Sequence, residues 1–428
     1  MNAIVVTFDR LPVGLLSCCG NSWIATPNFD RLAARSAVFE QHFADGNSPN
    51  SASQSWWTGR SPRLTARDGD TPSLPSLFSE HGVTFRMLVE TATEGPTEAE
   101  PFPHEWAEVV RGSDGLDTLP EETPFFRAVS RAQRDLRLLR TSRKEPWLLW
   151  IKSRGIPVPW LAPRDFATKF LDLSDDDEGA GEPTDELEAN EYGDEAEEDV
   201  VEMSGAELDD LLRSMAELPT DREGRDALSA IERGLMRRVC GGYVALLDAA
   251  LGRLLDQIDH EAQTAPTLLI VTAGRGMTVR EPGLLHGEWE QLAEETVHTP
   301  LFIRSPGMIG GVRRQELVQS VDLFPTLAEW FGIDASGLSL DGTSLLPTLR
   351  GEKGEQRSRV LIAGDGLAGI RTSDYYLVRR QEDDATSRLF AKPDDIWETN
   401  DLAAQSPDLA DQLSGQLAQL LSGEDAKA

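Results

Sequence analysis

The chain has 428 residues, of which 73 are acidic and 41 basic, for a net charge of −32. That length permits one large α/β domain or two domains with an unstapled core, and the strong negative charge argues against nucleic acid as a ligand. The three cysteines, Cys18, Cys19 and Cys240, give no disulfide framework, CxxC motif or zinc half-site and are expected as small buried residues.

Along the chain, apolar runs without alternation mark buried parallel strands: "AIVVTF" (3–8), "WLLWIK" (147–152) and "TLLIVTA" (267–273). Between them, an apolar residue every three or four positions predicts helices in "PNFDRLAARS" after Thr26, in "TPFFRAVSRAQRDLRLLR" after residue 122, and in the long stretch 227–259, where "CGG" (240–242) reads as a weak point. No basic leader precedes the first strand and no apolar run reaches the roughly 18 residues needed to cross a bilayer, so a cytoplasmic protein without membrane association is expected.

Residues 175–202 hold 15 carboxylates and no Lys or Arg. Such a block repels itself and has little to bury, so an acidic, disordered insertion is expected at about 174–203, with no protein partner identifiable for it. After residue 350 come short β-rich pieces, "VLIAGDGLAGIRTSDYYLVRRQ", then a polar helix from about Pro407 to the end. This divides the chain into an α/β domain over 1–350 and a small C-terminal subdomain over 351–428. "TAGRG" (272–276) lacks the third glycine of a dinucleotide fingerprint, since Val279 stands there, and "GMIGGVRR" has no P-loop ending; both read as turns.

Several segments in order, "IVVTFDRLPVGLLSCCGN", "TPNFDRLAARSAVFEQHFA", "SPNSASQSWWTGR", "EETVHTPLFIRSPG", "VDLFPTLAEWFGI", "LDGTSLLPTLRGE" and "LFAKPDDIWETNDLA", resemble the sulfatases of the alkaline-phosphatase-like superfamily. The resemblance implies an α/β fold with a large, mostly parallel sheet sandwiched by helices, and a small C-terminal α+β subdomain with an antiparallel sheet. It also implies a Cys or Ser nucleophile heading a helix, a divalent cation held by carboxylates, and basic residues around a sulfate. Aligned on Thr58-Gly59, the nucleophile position falls on Pro49, with Ser51 and Ser53 where the family has Pro and Arg.

The first strand of the family ends Asp-Asp, and here it ends Asp9-Arg10. The second ligand pair falls on Gly274 and Arg275, the supporting His of a "PH" pair on Pro157, and a Gly-Glu-His-Gly segment on 280–283. One surviving carboxylate cannot supply the six or more oxygens of calcium or the octahedron of magnesium. The expectation is a degenerate member, a pseudosulfatase with no metal and no cofactor, whose vestigial pocket comprises Asp9, Arg10, Pro49, Ser51, Ser53, Gly274 and Arg275. Arg10 and Arg275 are expected to replace the cation's charge, to relieve Asp9 and to suit a small oxyanion or a sulfated or phosphorylated ligand.

Two alternatives stay open: a divergent sulfuric- or phosphoric-ester hydrolase using Ser48 or Ser51 as a displaced nucleophile, and a scaffold whose acidic insertion recruits a partner. His286 and His298 are expected to be structural histidines.

Overall fold

The computed structural model describes residues 1–61, 72–92, 104–141, 145–171, 204–216, 228–261, 266–278, 291–308, 310–352, 357–364, 366–381 and 386–422. The acidic insertion at 174–203, His286 and the segment 280–283 lie outside the described residues.

An eight-stranded sheet forms the centre. Its strands are β1 (Asn2–Arg10), β2 (Ala37–Phe43), β3 (Thr84–Ala92), β4 (Ala107–Gly112), β5 (Trp147–Gly155), β6 (Thr267–Arg275), β7 (Leu301–Arg304) and β8 (Val312–Gln319), in the order β4-β3-β5-β1-β6-β7-β2-β8. Only β7 among them runs against its neighbours. β1 is central, parallel to β5 and β6, and the register sets Arg10 opposite both Gly155 and Arg275. The two faces of β1 feed separate cores, as its period-2 geometry requires: Ile4, Val6 and Phe8 enter one, Ala3 and Val5 the other.

The first core is closed by helices α1 (Pro27–Ala33), α4 (Pro124–Thr141) and α7 (Ala230–Glu261), and the second by α2 (Pro49–Thr58), α3 (Leu74–Glu80) and α9 (Leu323–Phe331). Helices α5 (Arg164–Ala167), α6 (Gly205–Met215), α8 (Glu294–Val297) and α10 (Leu346–Leu349) fill the connections. A parallel sheet covered on both faces needs apolar strands without alternation, which is why these runs read as strands in the sequence.

α1 begins after Thr26, as the sequence implies, but the Thr26 hydroxyl does not cap it. That oxygen is bonded to Ser17 Oγ at 2.6 Å, and the buried Asp248 of α7 instead accepts from the Asn28 and Phe29 amides at 2.9 Å each.

Three expectations need correction. The long helix α7 runs unbroken through Cys240-Gly241-Gly242, because those glycines serve packing: a Cβ on Gly242 would stand 2.1 Å from the Phe166 carbonyl oxygen, and one on Gly241 2.9 Å from the Trp23 ring. "TAGR" is not a turn; β6 continues to Arg275. Only Cys240 is fully buried, while Cys18 and Cys19 are partly exposed.

The second sheet, antiparallel, takes β9 (Arg359–Gly364), β10 (Leu367–Thr372), β11 (Tyr375–Arg380) and β12 (Ser387–Ala391) in the order β12-β11-β10-β9. Its Leu361, Ile370, Leu377 and Leu389 pack on Ala410, Leu413 and Leu417 of α11 (Pro407–Ser422), the terminal helix. Its other face buries Val360, Ile362, Tyr376 and Val378 against Phe43, Leu292 and Leu317 of the larger unit. Among the described residues no helix is long and apolar enough to cross a membrane.

Candidate functional site

In a parallel sheet, the chain's carboxyl ends are where polar side chains leave the core, and here β1 and β6 end side by side. Asp9 ends β1 on the face covered by α2, and Arg275 reaches across from β6 to meet it: Arg275 Nη2 donates to Asp9 Oδ2 at 3.0 Å. Both side chains are more than four-fifths buried. The same guanidinium donates from Nη1 to the Asn47 carbonyl at 3.3 Å, on the loop that enters α2, and its buried Nε–H finds no acceptor among the described residues.

Arg10 goes elsewhere. Its Nη1 donates to the Ile156 carbonyl at 3.4 Å, and burial, with the neighbouring Arg275 charge second, holds its pKa below the ordinary guanidinium value. Strand alternation is the reason: Arg10 follows the face of Val6 and Phe8, whereas Asp9 follows that of Ala3 and Val5. Of the two arginines, the one drawn into the hydrogen bond with Asp9 is Arg275.

Gly274 lies against α2. A Cβ there would stand 2.8 Å from Ala52 Cβ and 3.2 Å from Trp56, so the space beyond it is already filled by the helix. α2 is held down by its tryptophans: the Trp57 and Trp56 rings lie 4.5 and 6.0 Å from that of Trp150, whose Nε1 donates to Thr7 Oγ1 at 2.9 Å.

The helix opens on Ser48, whose oxygen caps it by accepting from the Ser51 amide at 3.1 Å, with Pro49 in its first turn. Ser48 Oγ and Ser51 Oγ are 2.8 Å apart. Ser53 is fully buried and its hydroxyl has no partner among the described residues. Pro49 has no side-chain heteroatom for attack, and among the described residues no titratable base is hydrogen-bonded to Ser48 or Ser51.

Among the described residues, the donors at this place do not fit a divalent cation. Asp9 is engaged by a guanidinium, Gly274 offers nothing, and among the described residues no three His, Cys, Asp or Glu side chains converge on a point that could hold a metal. His298 is held by its neighbours: its Nε2–H donates to the Glu40 carbonyl at 2.8 Å, its ring stacks on Phe43 at 5.1 Å, and burial lowers its pKa despite Glu294.

Beneath the α2 entry lies a group that sequence reasoning missed. Asp45 is fully buried, and desolvation lifts its pKa to about 7; the Ser55 hydroxyl, committed to the Ser51 carbonyl at 3.0 Å, relieves it only in part. A carboxyl whose folded pKa is raised binds more protons in the native state. Stability is therefore highest below its unfolded pKa near 4 and falls as pH rises towards 7. Asp45→Asn should remove that loss and stabilise the protein above pH 7 by roughly 2 kcal/mol, below the ideal 1.36 kcal/mol per pKa unit because the amide is itself desolvated. Urea unfolding of both proteins at pH 5 and pH 8 checks it; a difference that does not grow with pH sinks it.

A similar group closes the ends of β3 and β5. Glu90, also pushed by burial to about 7, accepts from Ser153 Oγ at 2.9 Å and the Arg154 amide at 2.8 Å, while Arg154 pairs with Asp114 at 2.6 Å. No spacing in the sequence announces either carboxylate, since the partners come from separate elements.

With this geometry in view, the comparisons with known proteins can be placed. The human iduronate 2-sulfatase is 24% identical over 411 residues, covering 78% of this chain and 69% of the relative. Among solved structures, a protein crystallised with its substrate D-glucosamine-2-N,6-O-disulfate superposes with a TM-score of 0.73 at 19% identity over 99% of this chain and 98% of its own. The phosphonate monoester hydrolase of Agrobacterium radiobacter follows at 0.71 and 18%, over 99% and 95%. These likenesses carry the fold: a large, mostly parallel sheet between helices with a small antiparallel sheet after it. Because the family model named Sulfatase matches residues 1–333, the chain belongs to the sulfatase family.

Proposed function

We propose that this chain is a sulfatase-family protein that has exchanged catalysis for binding: a degenerate member that holds a small oxyanion, or a sulfated or phosphorylated ligand, without cleaving it. One observation carries the reading. Arg275 occupies the place between Asp9 and the α2 entry and donates to both, so the surviving carboxylate is bound to a cation of the protein's own.

A guanidinium with one buried N–H unspent, beside the start of a helix, favours an anion in that pocket. Hydrolysis would need an activated nucleophile and a group to stabilise the leaving charge, and among the described residues no base is hydrogen-bonded to the Ser48–Ser51 pair. The second reading, a hydrolase with a displaced serine, draws on the 2.8 Å contact between Ser48 and Ser51 at the helix start.

Purified protein should carry no stoichiometric calcium or magnesium, should leave aryl sulfate and aryl phosphate intact, and should bind sulfate or phosphate at low salt. Arg275→Ala should weaken that binding about tenfold, the effect of one charge-assisted contact. Absence of heat in calorimetric titration up to millimolar anion ends the binding reading; turnover that Ser51→Ala abolishes replaces it with the hydrolase.

A further inference from the structure

The two neighbouring cysteines remain unused by the site just described. Cys18 and Cys19 sit on a single 3-10 turn, Ser17–Cys19, with their sulfurs 3.8 Å apart and both side chains partly exposed. Cys19, partly exposed, lines a cavity of 480 Å³ together with Pro12, Asn21 and Trp23.

Arg313 stands over the pair: its Nη2 donates to the Cys18 carbonyl at 2.6 Å and its charge favours both thiolates, opposed by Asp30 at both and by Glu40, with which it pairs, at Cys19. The thiol hydrogen bond from Cys18 lowers the pKa of Cys19 against the opposing effect of burial and raises that of Cys18. Cys19, on the cavity wall, is placed to meet a solute first and Cys18, its sulfur 3.8 Å away, to follow, the arrangement of a peroxide-responsive thiol beside a resolving one.

We propose that Cys18 and Cys19 form a reversible oxidation site, closed by hydrogen peroxide into a disulfide between adjacent residues on the wall of that cavity. The Cys19 thiolate attacks one peroxide oxygen, an S–O bond forms, the O–O bond breaks, and hydroxide leaves to become water on taking a proton. Cys18 then gives up its proton and attacks the Cys19 sulfur, expelling hydroxide as a second water. Two thiols lose two electrons and two protons, and the peroxide takes them up.

Neighbouring Cα atoms lie about 3.8 Å apart, below the usual span of about 4.4 Å or more, so the ring closes under strain and reopens readily with thiol reductants. The turn must open to close it, and Gly20, at φ +104° with open space where a Cβ would be, supplies the adjoining freedom.

One equivalent of hydrogen peroxide added to the reduced full-length protein should remove two of its three thiols and leave a monomer lighter by two hydrogens. Dithiothreitol should restore both, and peptide mapping should place the bridge at 18–19. Cys240, wholly buried and with its pKa raised by burial to about 12, is the internal control and should react at least tenfold more slowly. Cys18→Ser should instead stop at a Cys19 sulfenic acid that a 1,3-diketone traps. Oxidation of Cys240 at the same rate, disulfides only between chains, or no loss of two hydrogens in the wild-type protein would each overturn the assignment.

Discussion

Asp322→Ala is expected to remove about 3–5 kcal/mol of folding stability, the range for breaking a buried ion pair by deleting one partner. Asp322 is wholly buried at the head of α9, where its carboxylate accepts from the Gln319 amide at 2.9 Å and the Thr343 amide at 2.7 Å. Arg357 adds a two-pronged contact, Nη1 to Oδ2 at 2.5 Å and Nη2 to Oδ1 at 2.6 Å. Alanine would strand two amides in a dry place and leave the Arg357 guanidinium with only the Asp341 carbonyl, at 3.0 Å, among its acceptors here.

The damage should reach the candidate site, because α9 supports α2: Gly59, the C-cap of α2 at φ +64°, lies so close to Phe324 that a Cβ there would be 3.1 Å from that side chain. Urea unfolding measures the loss. The double variant Asp322→Leu/Arg357→Met, which removes both charges, should recover part of it, since paired buried charges contribute little net stability against apolar residues of similar size. A single-variant loss below about 1 kcal/mol would mean that solvent already reaches the pair.

The strands of the large sheet are legible in the sequence because burial on both faces favours unbroken apolar runs, as in Ala3 to Val6 and Leu268 to Val271. The same uniformity hides which face each strand-end residue takes. Asp9 and Arg10 look like equal neighbours on paper, yet the pleat sends them to opposite sides, so only Arg275 reaches Asp9. That pair spans 266 positions, and its existence follows from the register of β1 on β6, which no local pattern encodes.

Glycines mislead for a related reason. Gly242 and Gly274 read as breaks, but each lies within a regular element at a point where another element approaches too closely for a side chain. The cluster at α8 was equally hidden. Glu294, buried with its pKa lowered against desolvation by Lys392 and then Arg371, draws its partners from 77 and 98 positions away, across the join to the small sheet.

Gly274→Asp tests whether the ion's place is vacant or filled. Were the pocket merely short of a carboxylate, this variant would supply one beside Asp9 and should begin to bind calcium or magnesium. The packing says otherwise: a Cβ at 274 would stand 2.8 Å from Ala52 and 3.2 Å from Trp56, on a helix fixed by the tilted packing of the Trp56 and Trp57 rings on Trp150. Overpacking costs about 1–3 kcal/mol and a poorly solvated carboxylate adds to it, so a loss of roughly 3–5 kcal/mol is expected, with no calcium or magnesium heat. Gly274→Ala, which carries the clash without the charge, should lose only the first share. Stoichiometric calcium binding by Gly274→Asp at near wild-type stability would show that α2 gives way easily and that one residue stands between this pocket and a cation site.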